Sequence, residues 1–388
     1  MIKKTLRTAE YVPNDTIQLI RGGRLYFELL EKLIDEAQKT IHLQIYIYDG
    51  DETGMQVTQA LIRAAQRGVN VFLVLDGYAS RLLNSSIIDS LKKAGVHFRW
   101  FEPLFKSRKF YVGRRMHHKI FVADGLHSLV GGLNISNRYN DMPDEPAWLD
   151  WAVYVKGETS VGLYNRCLQI WSGRMRKFKI PSSRIPFTES SDCFVRIRIN
   201  DWLRNKNQIS RSYLEMFDRA ETQITIMSSY FLPGRSFRKR MSRAAKRGVK
   251  IRIILTRISD IVLAKQAERF FYPWLLKRNI EIYEYRQKVL HGKIATYDNH
   301  WVTVGSYNFN TLSAYGSIEL NLDIHNPGFT HEVNRTLDSI IAEDCDLITQ
   351  EDVNRQTNLW NRSVQRFAYE VFRFLYFIFF FNFKQKKA

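Results

Sequence analysis

The chain has 388 residues, 45% of them hydrophobic, with 58 Lys+Arg against 39 Asp+Glu and a formal charge of +19. That is enough chain for two domains with full cores, and so basic a surface attracts polyanions, either nucleic acid or an anionic membrane. Cys167, Cys193 and Cys345 are scattered and odd in number, which excludes a disulfide framework or a zinc pattern and fits a reducing compartment.

In chain order, residues 1–15 are polar and basic and carry no apolar run of signal-peptide type, so the protein is expected to stay on the cytoplasmic side. The pattern predicts a helix over 26–37 and a strand over 41–48. A further helix closes with Gly68 at its C′ position, and a buried strand over 71–75 follows. A helix over 87–93 and a strand over 96–100 come next, then a strand–turn–strand over 119–123 and 128–130. The stretch 181–193, with Pro181, Ser182, Ser183, Pro186, Ser190 and Ser191, reads as a connection.

The same order then recurs. A helix is expected over 209–220, a strand over 224–231, and a helix closed by Gly248 before a strand over 251–255. Residues 261–277 read as helical, 280–285 as a strand, and 293–297 with 301–304 as a second strand–turn–strand. The segment 64–75 echoes 244–255 almost residue for residue. Alternating helices and strands in each half predict an α/β layer fold, with helices on both faces of a mixed sheet. The expected division is 1–180, a linker at 181–193, 194–348, and a C-terminal helix within 349–388.

One phrase is repeated within this repeat. His117, Lys119, Asp124, Gly131 and Asn134 recur 174 residues later as His291, Lys293, Asp298, Gly305 and Asn308. On a strand, i and i+2 share a face, so each His points with its Lys. Two such half-sites facing each other make one site suited to a phosphodiester. Such a substrate needs cations and donors on its oxygens, a nucleophile, and an acid for the leaving alcohol. Lys119, Lys293, Asn134, Asn308 and Ser306 supply the first requirement. One neutral His attacks phosphorus and the other, protonated, serves the leaving oxygen. The scheme needs no metal or other cofactor. A carboxylate behind each imidazole would fix its tautomer, and Asp150 and Glu319 are the candidates. His118, adjacent but out of register, is read as structural.

The doubled His-x-Lys-x4-Asp motif, with Gly131-Gly132-Leu133-Asn134 and Gly305-Ser306-Tyr307-Asn308 after it, resembles the phospholipase D superfamily over roughly 22–321. The resemblance implies two pseudo-twofold-related α/β/α halves, mixed sheets flanked by helices, and one active site at their interface. It also implies a phosphohistidine intermediate, with His117 as nucleophile and His291 as acid, and Asp124 and Asp298 completing the catalytic motif. Within the superfamily, Trp148-Leu149-Asp150, Ser259-Asp260 and Ile282-Tyr283-Glu284-Tyr285 resemble bacterial cardiolipin synthases of the type without N-terminal spans. Asn310 stands where that family usually has Asp, and Ser317 where it often has Asn.

The implied activity is phosphatidyl transfer between two phosphatidylglycerols with release of glycerol, and no nucleic-acid partner is expected. A hydrolytic phospholipase or nuclease on the same scaffold, and a non-catalytic lipid-binding scaffold, are the alternatives. Two basic segments could meet lipid phosphate: Lys106, Arg108, Lys109, Arg114 and Arg115, and the stretch 235–247. Residues 374–381 are an unbroken apolar run followed by Lys384, Lys386 and Lys387. A helix over 367–383 would be roughly 26 Å long, short for a span, and reads as a shallow anchor on an anionic membrane at its cytoplasmic face.

Overall fold

The computed structural model describes residues 11–103, 114–173, 192–201, 204, 206–310, 317–356 and 359–384. Its first-half sheet runs His97–Phe101, Asn70–Asp76, Thr40–Ile45, Lys119–Ala123, His127–Gly131, Trp151–Gly157 and Val12–Arg21. The first three strands are parallel and the rest antiparallel, so the sheet is mixed. The second-half sheet repeats that order as Glu281–Tyr285, Lys250–Thr256, Gln223–Ser228, Ile294–Tyr297, Trp301–Gly305, Ser317–His325 and Phe194–Asp201. An extra strand, Cys345–Leu347, closes its far edge.

The helices form for local reasons legible in the chain. Glu52–Gln66 starts at Asp51, whose carboxylate accepts the Gly54 N–H, and the turn after it passes through Gly68 at φ 88°. Arg235–Lys246 ends in the same way at Gly248, φ 91°. The helical stretch expected over 261–277 is two helices, Val262–Arg269 and Tyr272–Leu276, because Pro273 starts the second.

Each sheet carries a core of its own on its helix-covered face, one built around Leu30, Leu43, Leu61 and Leu73, the other around Phe217, Ile226, Met241 and Ile253. A third core is shared. Val130, Trp151 and Val153 of the first sheet meet Ile294, Val302, Val304 and Leu322 of the second, beneath the helices Glu158–Ser172 and Pro327–Asp344. The strands that join the halves are ones the sequence pattern did not single out. Val12 pairs with Val195, and Arg115–Met116 runs parallel to Ser317–Ile318. The expected linker lies, at 181–191, outside the described residues.

Candidate active site

Each motif histidine sits just before a buried central strand, and each docks on the other half of the molecule. The His117 N–H donates to the Ile318 carbonyl at 3.0 Å, and the His291 N–H to the Leu149 carbonyl at 2.8 Å. The residue after each carbonyl is a fully buried carboxylate. His117 Nδ1 lies 2.9 Å from Glu319, and His291 Nδ1 lies 2.6 Å from Asp150. The pairs are therefore crossed: each half supplies the carboxylate for the other half's imidazole. With Nδ1–H donated to a carboxylate, Nε2 is left as the nitrogen free to react.

The glycine difference between the two copies follows from these carboxylates. A Cβ at Gly132 would lie 2.4 Å from an Asp150 oxygen, so only hydrogen fits there. The matching position in the second half is Ser306, whose hydroxyl donates to Glu319 at 2.5 Å. Ser317 donates to the other Glu319 oxygen at 2.7 Å, which gives the departure at that position a structural task.

Burial holds His117 below its usual value, against the pull of Glu319. Burial and the neighbouring Lys293 lower His291 to about 4, against Asp150. Burial also lowers Lys119 to about 7 and Lys293 to about 8, Glu319 and Asp150 respectively opposing it. For Glu319 burial is the largest influence and pushes upward, but His117, Lys119 and Ser306 together bring the carboxyl below its usual range. The site is thus a buried set of groups that resist carrying positive charge until an anion arrives. Lys119 donates to the His117 carbonyl at 2.5 Å, and Lys293 to the His291 carbonyl and, at 3.1 Å, to Ser229.

Other expected site residues are placed differently. Asp124 accepts the backbone N–H groups of Gln38, Lys39 and Thr40, and Asp298 those of Glu221, Thr222 and Gln223. Both sit at φ near 50°, at the far end of the strand from their Lys, about 17 Å away at strand rise. They hold each motif strand to the helix–strand turn beside it and are not brought to the histidines. Ser306 gives its hydroxyl to the Glu319 oxygen that His117 also holds. Asn134 uses its carboxamide on the Ile47 N–H and the Tyr139 hydroxyl. Asn308 differs: it lines the cavity at His117, and among the described residues its carboxamide oxygen has no partner.

That cavity measures about 350 Å³ and is lined by His117, Glu319, Asn308, Tyr46, Arg115 and Phe372 among others. His117 is the more open of the two imidazoles, 17% exposed against 9% for His291. Tyr46, whose ring meets His117 edge-on at 4.7 Å, was not found by sequence reasoning, nor was Ser229. Each directly follows the strand that pairs with its half's motif strand, Thr40–Ile45 and Gln223–Ser228, a position legible only once the strands are laid side by side. Asp76 clamps its turn and the Met116 N–H and does not reach the histidines. His118 faces away and bonds Gln44 at 2.8 Å. Lys106, Arg108 and Lys109 lie outside the described residues.

Phe372 belongs to the helix Leu359–Lys384, which packs on the body by stacking Tyr369 on Phe270 at 4.8 Å. Phe367 and Phe374 stay exposed on it. Among the described residues no helix is long and apolar enough to cross a membrane.

A repeated α/β half that brings two His–Lys pairs to one seam defines the phospholipase D class of protein. Residues 30–156 and 213–341 match the family described as cardiolipin synthase, PLD-like domain. Cardiolipin synthase B of Shigella flexneri is 34% identical over 367 residues, covering 92% of this chain and 87% of its own. The minor cardiolipin synthase of Bacillus subtilis is 28% identical over 88% of this chain and 85% of its own. The phosphatidylserine synthase of Haemophilus influenzae Rd KW20 shares the fold, with a TM-score of 0.75 at 14% identity over 96% of both chains. The chain belongs to the cardiolipin synthase family of the phospholipase D superfamily, and is an enzyme of its phosphatidyltransferase class.

Proposed function

We propose that this enzyme makes cardiolipin from two phosphatidylglycerols and releases glycerol, through a phosphohistidine on His117. The observation that carries the reading is the crossed pairing of His117 with Glu319 and His291 with Asp150. It leaves two Nε2 atoms at one seam with opposite tasks available to them.

In this reading the phosphodiester enters between Lys119 and Lys293, and its negative charge relieves the burial and repulsion that hold His291 down. His291 takes up a proton as substrate binds. His117 Nε2 then attacks phosphorus, the phosphorus–oxygen bond to the terminal glycerol breaks, and His291 protonates that oxygen. Glu319 stabilises the cationic phosphohistidine through Nδ1–H. In the second step the hydroxyl of another phosphatidylglycerol attacks, His291 takes its proton, and the phosphorus–nitrogen bond breaks. The larger exposure of His117, and its place in the cavity wall, support it as the nucleophile. Asn308 supports the phosphate there.

Residues 1–180 and 194–348 act as the two halves, 181–193 connects them, and 349–388 carries membrane contact at the cytoplasmic face. The +19 charge and the exposed Phe367 and Phe374 support an anionic bilayer as the partner. Product analysis tests the reading: purified enzyme is incubated with vesicles of labelled phosphatidylglycerol and the lipids are resolved by mass. Cardiolipin with free glycerol is expected. Phosphatidic acid alone would make water the acceptor and the enzyme a phospholipase.

A further inference from the structure

Away from the histidines, a groove of about 490 Å³ runs between the helix Glu158–Ser172 and the strand Phe194–Asp201. Strand alternation puts Val195, Ile197 and Ile199 along it, while Arg196 and Arg198 face the other way, to Asp323 and Glu215. Val161 completes an apolar lining. The groove also holds two cations, Arg166 and Lys206, and one carboxylate, Glu158, so its side chains carry a net positive charge.

Arg166 is 3% exposed, yet among the described residues none of its three guanidinium nitrogens has a hydrogen-bond partner. Among the described residues its ion-pair contact is Asp201, at 4.0 Å. Asp201 is already engaged, accepting from Arg114 at 3.0 Å and lying 3.8 Å from Arg204. Three guanidiniums thus share one carboxylate. A buried cation short of hydrogen-bond acceptors is destabilising, and an anionic ligand would offset that cost. The Thr159 hydroxyl and the Asn165 carboxamide oxygen line the same groove and, among the described residues, are also without partners. A cleft of this size, with an apolar strand face along one side and polar and charged groups along the other, has the amphipathic character of a ligand site.

We propose that the groove is a second glycerophospholipid site, separate from the catalytic one. The lipid phosphate sits on Arg166 and Lys206, and one acyl chain lies along Val161, Val195 and Ile197. A free phosphate would satisfy Arg166 but leave the apolar lining uncovered. The site joins a first-half helix to the strand that pairs with Glu319 through Asn200, so an occupant ties the two halves together behind the His117 pair. This goes beyond the transfer reaction and does not require it.

The test is photolabelling of the full chain with a phosphatidic acid bearing a diazirine in its acyl chain, followed by peptide mapping. Label is expected within 158–169 and 194–199, separate from label at the catalytic cavity. Arg166→Gln should lower the groove label about tenfold, the loss of one charged hydrogen-bonding partner, and leave the cavity label in place. Ile197→Trp, which fills the apolar lining, should do the same if Arg166→Gln does not fold. Inorganic phosphate and glycerol 3-phosphate are run as competitors. If either displaces the groove label as well as the lipid does, the chain contributes nothing and the lipid assignment is overturned in favour of a phosphate site. Absence of groove label in the unmodified protein overturns the proposal. Labelling is read without turnover, so a chain that labels the groove but makes no cardiolipin would sink the transfer reaction and spare this site.

Discussion

Replacing Glu319 by Gln separates the charge behind His117 from the geometry behind it. The carboxylate is fully buried and is held by His117 at 2.9 Å, Ser306 at 2.5 Å and Ser317 at 2.7 Å. Gln keeps the shape and one acceptor oxygen, and a serine hydroxyl can rotate to accept from the new amide, so the imidazole stays in place. What is lost is the negative charge facing a phosphohistidine cation. A hydrogen bond to a charged group contributes about 1.5–3 kcal/mol, so formation of the phosphoenzyme should slow by about 10- to 150-fold. The assay is rapid-quench capture of labelled phosphoenzyme from phosphatidylglycerol, with Asp150→Asn alongside. Asp150→Asn should weaken His291 as the acid for the leaving glycerol. If Glu319→Gln slows phosphoenzyme formation by less than about threefold, under 1 kcal/mol, the charge behind His117 is not stabilising the intermediate. If label is trapped on His291 in the unmodified enzyme, the two roles are reversed.

His117→Ala and His291→Ala should each abolish transfer while leaving the melting temperature near that of the unmodified protein; wild-type turnover in either would refute the paired-histidine mechanism. Asp298→Ala should leave turnover intact and cost about 1–3 kcal/mol in urea denaturation, since it strips an acceptor from three backbone amides. His291 is held near 4 in the fold against about 6.5 unfolded, so the unfolded chain binds more protons between those values. Stability should therefore be full above about pH 6.5 and fall by on the order of 3 kcal/mol as pH drops toward 4, a loss that His291→Asn should reduce in pH-dependent denaturation. Deleting 374–388 should weaken binding to anionic vesicles in a flotation assay, and unchanged binding would remove the tail as an anchor.

Much of this protein was legible in the chain because the information was local or repeated. Gly68 and Gly248 close helices wherever they stand, β-branched and aliphatic runs mark the buried parallel strands, and a fixed offset ties His117 to His291 without reference to any fold. The i, i+2 spacing of His and Lys predicted a shared strand face, but the strands start at Lys119 and Ile294, so the histidines lie just ahead of them. The strands that join the halves were harder to read, because Val12–Arg21 and Phe194–Asp201 mix charged and apolar residues and take their meaning from the partners they pair with.

Asp150 and Glu319 could be proposed from their distance past the motifs, but not which histidine each would hold. The crossed answer depends on the two sheets meeting face to face, so that the backbone of 149 and 318 docks the opposite motif. Sequence spacing also grouped Asp124, Asp298 and Ser306 with the reacting residues, whereas folding carries the two aspartates to the other end of their strands and gives Ser306 the Glu319 oxygen that His117 also holds. The amino-acid order by itself determined which residues are repeated and which face of a strand each one takes. Only tertiary packing decided which of them share a site, because that depends on contacts between segments some 140 to 200 residues apart, which no local propensity encodes.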